Sequence, residues 1–195
     1  MARSRQQQTL DGICEREHVV QFYDHESAFL ANLGHFVGAA LREGSPCLVI
    51  ATPAHIQSVD RWLGEKELDI SAAANAGNYI ALDASETLTK FMKGPLPDRT
   101  LFRELFTRYL ENLTAEDRSV RCFGEMVALL WQAGNQSGAV LLEEMWNELA
   151  CDFSFTLFCA YPAYHFSQAA HRQMQREISE LHSCTISDSA LASIA

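Results

Sequence analysis

Short apolar runs alternate along the chain with longer segments whose apolar residues recur every three to four positions. The runs PCLVIAT (46–52) and FTLFCAYP (155–162) are apolar almost throughout, as expected for strands covered on both faces. Strands that alternate with helices in this way form a mainly parallel sheet. The pattern predicts a three-layer α/β domain in which helices flank a sheet of at least five strands. The predicted strands are 18–23, 46–52, 78–84, 120–123 and 155–162.

The segments between these strands begin with residues that favour helix starts. Thr52 is predicted to cap a helix whose first turn contains Pro53. Ser85 and Asp98 are predicted to cap the next two helices. Between them, KGPLP (93–97) has the composition of a loop.

A single domain is predicted over residues 17–183, ending with a last helix at about 167–182. Residues 1–16 and 184–195 are polar or small and lack periodicity, so both are predicted to be flexible tails. No segment has the length and apolarity of a membrane span, and the start lacks the apolar run of a signal peptide. The expected location is the cytoplasm.

The charge balance argues against nucleic acid as a partner. The net charge is −10 and the chain contains only three lysines. Proteins that bind phosphate backbones concentrate lysine and arginine on one surface. We therefore expect no direct contact with nucleic acid, and no membrane association either.

The six cysteines form no C-x-x-C pair and have no zinc-binding spacing. Cys47, Cys122 and Cys159 fall inside strand-like runs, where a thiol packs as a small apolar group. His18 opens the first strand, where capping or packing is expected, and His182 near the last helix belongs to no H-x-x-x-H pattern. No metal site and no cofactor are therefore expected.

Ligands of open α/β sheets bind beyond the carboxyl ends of the strands. The first of these turns, FYDHESAF (22–29), lacks the glycines and the lysine of a phosphate-binding loop. No catalytic motif occurs elsewhere, so an enzyme is not expected. Polar and aromatic residues at the strand ends instead predict a ligand pocket. The predicted ligand-binding residues are Tyr23, Asp24, Thr52, His55, Glu125, Trp131 and Tyr161.

Two interpretations of Glu125 stay open, because it lies where a buried strand passes into a helix. Its carboxylate either stabilises the helix N-terminus, or contacts a ligand or a buried polar network. Glu143, Glu144 and Glu148 of the next helix are predicted to face solvent, opposite the apolar stripe. Asn147 lies on the same predicted polar side.

Four blocks of the sequence resemble the MEDS sensory domains, a family named for methanogens, methylotrophs and a dichloromethane-responsive repressor. They occur in the family's order between residues 18 and 182. The resemblance implies a domain distantly similar to the RecA/KaiC ATPase core, without an intact phosphate loop. The blocks are HVVQFYDHESAFLANLGHFVGAALREGSPCLVIATPAH, FGEMVALLWQAGN, LEEMWNELA and CAYP.

The resemblance further implies a sensor of small, hydrocarbon-like organic molecules, often attached to a histidine kinase or a DNA-binding region. No such region follows here, so we expect a stand-alone cytoplasmic sensory domain. It would signal through a partner, such as a histidine kinase or transcription regulator, or through its own homodimer. Two alternatives stay open: a degenerate KaiC-like nucleotide-binding protein, and an interaction module whose pocket its own side chains fill.

Overall fold

Six parallel strands form the central sheet of the computed structural model, which describes residues 16–114, 118–167 and 169–186. The sheet strands are β1 (His18–Tyr23), β2 (Cys47–Ala51), β3 (Tyr79–Asp83), β6 (Val120–Gly124), β7 (Phe155–Pro162) and β8 (Cys184–Ile186). Their order across the sheet is β3-β2-β6-β7-β1-β8, and all the pairings are parallel. The short strands β4 (Met92–Lys93) and β5 (Leu96–Pro97) form a separate antiparallel hairpin.

Helices cover both faces of the sheet. They are α1 (Glu26–Arg42), α2 (Pro53–Glu65), α3 (Ile70–Asn75), α4 (Ala84–Thr89), α5 (Arg99–Leu113), α6 (Met126–Gln132), α7 (Gln136–Leu149) and α8 (Ala169–Leu181). The first three pack on one face and the other five on the opposite face. The predicted three-layer α/β arrangement is confirmed. Among the described residues, no helix combines the length and apolarity that crossing a bilayer requires.

The position of β7 inside the sheet explains why its sequence is apolar almost throughout. Successive side chains of a strand point to opposite faces. Phe158 and Ala160 pack against the α1 side, whereas Leu157, Cys159 and Tyr161 pack against the α7 side. Because both sides are covered by helices, every position except Pro162 is buried, and full burial of a large apolar side chain stabilises the fold by about 1.5–3 kcal/mol.

The predicted end of the domain needs correction. Residues 184–186 form β8 on the edge of the sheet, beside β1, and so do not belong to a flexible tail. A three-residue strand is too short to show a period in the sequence. The predictions for residues 1–15 and 187–195 lie outside the described residues.

The predicted cap is confirmed at Asp98, is confirmed in position alone at Thr52, and is wrong at Ser85. Asp98 accepts a hydrogen bond from the backbone N–H of Leu101, as predicted. The cap of α4 is Asp83, not Ser85, because its carboxylate accepts from the two backbone amides that begin the helix. Thr52 occupies the cap position of α2, but its side chain makes no capping hydrogen bond.

Two short elements were not predicted. The KGPLP segment, expected to be a loop, supplies the turn and second strand of the β4–β5 hairpin. Helix α3 contains only six residues and is capped by the preceding Asp69, whose side chain accepts from the backbone N–H of Ala72.

Candidate functional site

The carboxyl ends of the strands lie along one edge of the sheet, as its parallel pairings require. Here Glu125 follows β6 and reaches the start of α2. Its Oε2 accepts a hydrogen bond of 2.7 Å from the backbone N–H of Thr52, and its Oε1 lies 2.8 Å from Nδ1 of His55. The Nε2 atom of His55 lies 3.0 Å from Oε1 of Glu26 on α1. We call Glu26, Thr52, His55 and Glu125 the carboxyl-edge network.

The carboxyl-edge network connects three elements through one imidazole. Burial lowers the pKa of His55, but its contacts with Glu125 and Glu26 outweigh burial and raise the pKa above its ordinary value. The Glu125 side chain is 9% exposed and makes no capping hydrogen bond to α6. Of the two interpretations that the sequence leaves open, a buried polar network fits these contacts better.

Tyr23 and Asp24 follow β1 at the same edge. The Tyr23 ring stacks on Phe29, with ring centroids 4.8 Å apart, and is half-buried on the α1 side of the sheet. Burial and the carboxylates of Glu125 and Glu26 raise the pKa of Tyr23 well above its usual value. Asp24 is exposed. Five predicted residues therefore share this edge: Tyr23, Asp24, Thr52, His55 and Glu125.

The other two predicted residues lie on the opposite face. Trp131 and Tyr161 are 2% and 0% exposed and pack with their ring centroids 6.0 Å apart. Phe166 packs on Trp131 at 4.6 Å. Because side chains alternate along β7, Tyr161 points away from α1 and Tyr23. The structure therefore does not gather all seven residues into one pocket, and their part in ligand binding stays a prediction.

A second polar group lies between the sheet and α7, where the sequence predicts only packing. Glu143, predicted to face solvent, is fully buried. It lies four residues after Ala139 and three before Trp146, so helical spacing places it on the buried stripe of α7. Glu144 and Glu148 do remain at the surface, where both contact Arg99.

Four side chains surround the Glu143 carboxylate. Tyr161 donates its hydroxyl proton to Oε1 at 2.7 Å, and the Cys159 thiol lies 3.3 Å from Oε2. Nε2 of His18 lies 3.3 Å from Oε2, and Nε2 of His182 lies 3.6 Å from Oε1. We call these five residues the Glu143 cluster. They come from β1, α7, β7 and the residue after α8.

The outer nitrogen of each histidine is held by a hydrogen-bond acceptor. Asn147 donates from Nδ2 to the carbonyl oxygen of Leu181 at 2.9 Å, which turns its Oδ1 toward Nδ1 of His18, also at 2.9 Å. Nδ1 of His182 donates to the carbonyl oxygen of Ile178 at 2.6 Å. When neutral, both rings therefore carry the Nε2 lone pair on the side of Glu143.

Burial and charge set the protonation of the Glu143 cluster. Burial opposes ionisation of Glu143, but His182, His18 and Tyr161 outweigh it and lower its pKa to about 2. Burial and the neighbouring His18 lower the pKa of His182 to about 3. Burial and the Glu143 carboxylate raise the pKa of Cys159 and of Tyr161 well above their usual values.

A cavity of about 330 Å³ opens beside the Glu143 cluster at the amino ends of β1 and β7. We call it the amino-edge cavity. Its apolar lining includes Trp146, Phe155, Leu157 and Leu181. Its polar lining comprises two charged residues, Arg16 and Glu17, together with His18, Asn147, His182 and Ser183, so two members of the Glu143 cluster border it.

Comparison with known proteins agrees with this fold. A KaiC-like protein from the hyperthermophilic archaeon Pyrococcus horikoshii OT3 has a similar structure, with a TM-score of 0.55, 12% sequence identity, and coverage of 84% of this chain and 71% of that chain. At this identity the likeness concerns the fold alone, and it confirms the expected KaiC-like architecture. No curated protein is significantly similar to the chain in sequence.

The family comparison covers most of the chain. Residues 17–182 match the family model described as MEDS, the MEthanogen/methylotroph, DcmR Sensory domain. The matched range contains the sheet from β1 to β7, all eight helices and the whole Glu143 cluster. The protein therefore belongs to the MEDS family of sensory domains.

Proposed function

We propose that this sensory domain binds a small, largely apolar organic molecule in the amino-edge cavity, without catalysis, and signals through α8. The observation that carries the proposal is the cavity itself. Its volume of about 330 Å³ lies at the lower end of the range of ligand pockets, roughly 300–1,000 Å³. Apolar walls beside a few fixed polar groups are the usual composition of such a pocket.

The polar lining of the cavity suits a molecule with one polar atom. Asn147 and His18 are held in place by their mutual contact and by the carbonyl of Leu181. Trp146, Phe155 and Leu157 offer apolar contact on the neighbouring walls. A hydrocarbon derivative would therefore bury its carbon atoms against the walls and direct its polar atom to the polar lining.

The carboxyl edge, where the sequence predicts the ligand, is less suitable for an apolar molecule. The Glu125 carboxylate already contacts both His55 and the Thr52 amide, and Trp131 and Tyr161 are buried on the other face. A larger groove of about 480 Å³ lies between α5 and α7, where polar side chains form surface ion pairs, such as Arg99 with Glu148.

Helix α8 links the cavity to the surface. Leu181 at its end and His182 line the cavity, and Ile178 packs in the core. The outer face of α8 presents Arg172 and Arg176 to solvent. A ligand that contacts Leu181 would shift the balance between two positions of α8. The exposed face would then bind a signalling protein, such as a histidine kinase or transcription regulator, or a second copy of the chain.

A thermal-shift screen of small haloalkanes, alcohols and ketones tests the proposal. We expect at least one class to raise the melting temperature, since a ligand that binds only the folded state stabilises it. Ala150→Trp should abolish the shift, because Ala150 is exposed at the cavity and a large ring would fill it. Ala133→Trp is the matched control, since both alanines end a helix and are exposed. Equal shifts in both variants would exclude this cavity.

Nucleotide binding, the main alternative, has a direct test. The region around the first strand-to-helix turn carries Asp24, Glu26 and Glu125, whose carboxylates would repel a triphosphate. We expect no saturable binding of labelled ATP in the presence of magnesium. Saturable binding that is lost in a Glu125 variant would favour the KaiC-like alternative.

A further inference from the structure

We propose that His18, Glu143, Cys159 and His182 bind one divalent transition-metal ion, preferably Zn²⁺, between the sheet and α7. One ligand atom from each residue lies within 4.8 Å of the others, and all four residues are buried. The site adds a function to the domain that does not depend on the proposed organic ligand.

The spacing of the ligand atoms suits a tetrahedral ion. In a zinc site with metal–ligand distances of about 2.0–2.3 Å, neighbouring ligand atoms lie about 3.3–3.7 Å apart. The distances from Oε2 of Glu143 to Nε2 of His18 and to Sγ of Cys159 are both 3.3 Å. Sγ of Cys159 lies 3.5 Å from Nε2 of His18, and Nε2 of His182 lies 3.6 Å from Oε1 of Glu143. Three of the four ligand atoms thus already have the spacing of a zinc site, and separations of up to 4.8 Å within the set would shorten as a cation binds.

The histidines are oriented as metal ligands usually are. A metal-binding histidine generally donates its second ring N–H to a carbonyl or carboxylate, which fixes its tautomer. Here Asn147 accepts from His18 and the Ile178 carbonyl accepts from His182. Both Nε2 lone pairs are thus available on the side that faces the Glu143 carboxylate.

The buried Nε2 atom of His182 lacks a hydrogen-bond partner among the described residues, although it lies 3.6 Å from Oε1 of Glu143. An ion between them would be attracted to both atoms, and would satisfy a buried polar group that is otherwise costly.

Charge balance favours a divalent ion. On binding, the Cys159 thiol loses its proton to solvent and coordinates as thiolate. The thiolate and the Glu143 carboxylate then carry two negative charges, which a divalent ion neutralises. Calcium and magnesium prefer oxygen ligands, whereas two imidazoles, a thiolate and a carboxylate suit zinc.

Titration of chelator-treated protein with Co²⁺ and Zn²⁺ tests the assignment. Co²⁺ substitutes for zinc, and its absorption spectrum reports tetrahedral geometry and thiolate ligation. We expect one ion per folded chain by native mass spectrometry, with a sulfur-to-cobalt charge-transfer band. Folded protein that binds neither ion stoichiometrically overturns the proposal.

Two cysteine variants locate the ion. Cys159→Ser should lose the charge-transfer band, and Cys122→Ser should keep it, because Cys122 is an equally buried thiol on the neighbouring strand and lies outside the cluster. Identical spectra from the two variants overturn the assignment.

A third variant keeps the test decisive if Cys159→Ser does not fold. Asn147→Leu removes the acceptor that orients His18. It should weaken Zn²⁺ binding roughly 10- to 100-fold, the usual effect of losing such a partner. Unchanged affinity overturns the proposed ligand set. These measurements need no organic ligand, so their outcome is separate from that of the thermal-shift screen.

Discussion

The carboxyl-edge network and the Glu143 cluster use the same chemical groups in opposite proportions. At the edge, one imidazole, His55, lies between the carboxylates of Glu26 and Glu125, and Glu26 is 64% exposed. In the core, the single carboxylate of Glu143 lies between His18 and His182. Water can compensate an excess of negative charge at the edge, whereas the core must satisfy its one charge with its own donors.

The contrast indicates which polar groups contribute most to the free energy of unfolding and which tolerate substitution. Exposed ion pairs contribute little because solvent screens them, and buried ones are costly to break. Four substitutions, from the largest expected effect to the smallest, test the contrast.

Glu143→Ala should have the largest effect. It leaves the hydroxyl of Tyr161 and the donors around it buried without their acceptor. Tyr161 and Cys159 both donate to this carboxylate, and hydrogen bonds to charged groups contribute about 1.5–3 kcal/mol each, so we expect a loss of about 3–6 kcal/mol of unfolding free energy. Urea denaturation followed by circular dichroism measures the loss. The neighbouring control Glu144→Ala should stay within about 1 kcal/mol of wild type, because its ion pair with Arg99 is exposed. Equal losses would contradict the contrast.

Glu125→Ala should have the second-largest effect. It removes the acceptor of the Thr52 amide and one of the two carboxylates of His55. Hydrogen bonds to charged groups contribute about 1.5–3 kcal/mol each, so we expect a loss within that range in the same urea experiment. Glu26→Ala, at an exposed position, is the control and should cost less. A larger loss for Glu26→Ala would place the stabilising contact at the surface.

Tyr161→Phe sharpens the comparison at the level of one atom. It removes only the hydroxyl that donates to Glu143, and we expect a loss of about 1.5 kcal/mol. Tyr23→Phe at the other edge is the matched control. Because Tyr23 is only half-buried, its hydroxyl is less completely removed from water, and the change in the urea midpoint should be smaller. A larger loss for Tyr23→Phe than for Tyr161→Phe would mean that the buried hydroxyl of Tyr161 adds little stability.

His55→Gln should have the smallest effect and should depend on pH. The contacts with Glu125 and Glu26 raise the pKa of His55 in the folded state, so the folded protein holds this proton more tightly than the unfolded chain. The stabilisation is complete below the unfolded pKa of about 6.5 and is lost as pH rises through the raised folded pKa. Urea midpoints of both proteins should therefore converge at alkaline pH. A difference that grows with pH would reverse the assigned sign.

Much of the fold was predictable because burial on both faces leaves a clear pattern. Strand β7 matches its predicted bounds, 155–162, because helices cover both of its sides. The start of α4 was harder to predict, since Asp83 and Ser85 are both favourable N-cap residues. Local sequence does not decide between them, and the structure selects Asp83.

The candidate site was predictable only in part. The residues that follow strands met at one edge, because parallel strands share their direction. The face toward which Tyr161 points depends on which helices cover each side of β7, and this is a tertiary property. The Glu143 cluster joins positions 18, 143, 159, 161 and 182, so local spacing motifs do not detect it. The one local sign was the position of Glu143 between Ala139 and Trp146 at helical spacing.

Strand β8 has a consequence for how the end of α8 moves. It follows His182 and Ser183 directly, and Ser183 is bonded to the backbone of His18 through its amide and its hydroxyl. The ladder between β8 and β1 has only three residue pairs, so we expect it to open without disturbing the other five strands of the sheet. Hydrogen–deuterium exchange at Cys184–Ile186 would therefore report, amide by amide, whether the amino edge is engaged or released. Exchange at this edge strand would thus report on the position of α8, the helix that precedes it.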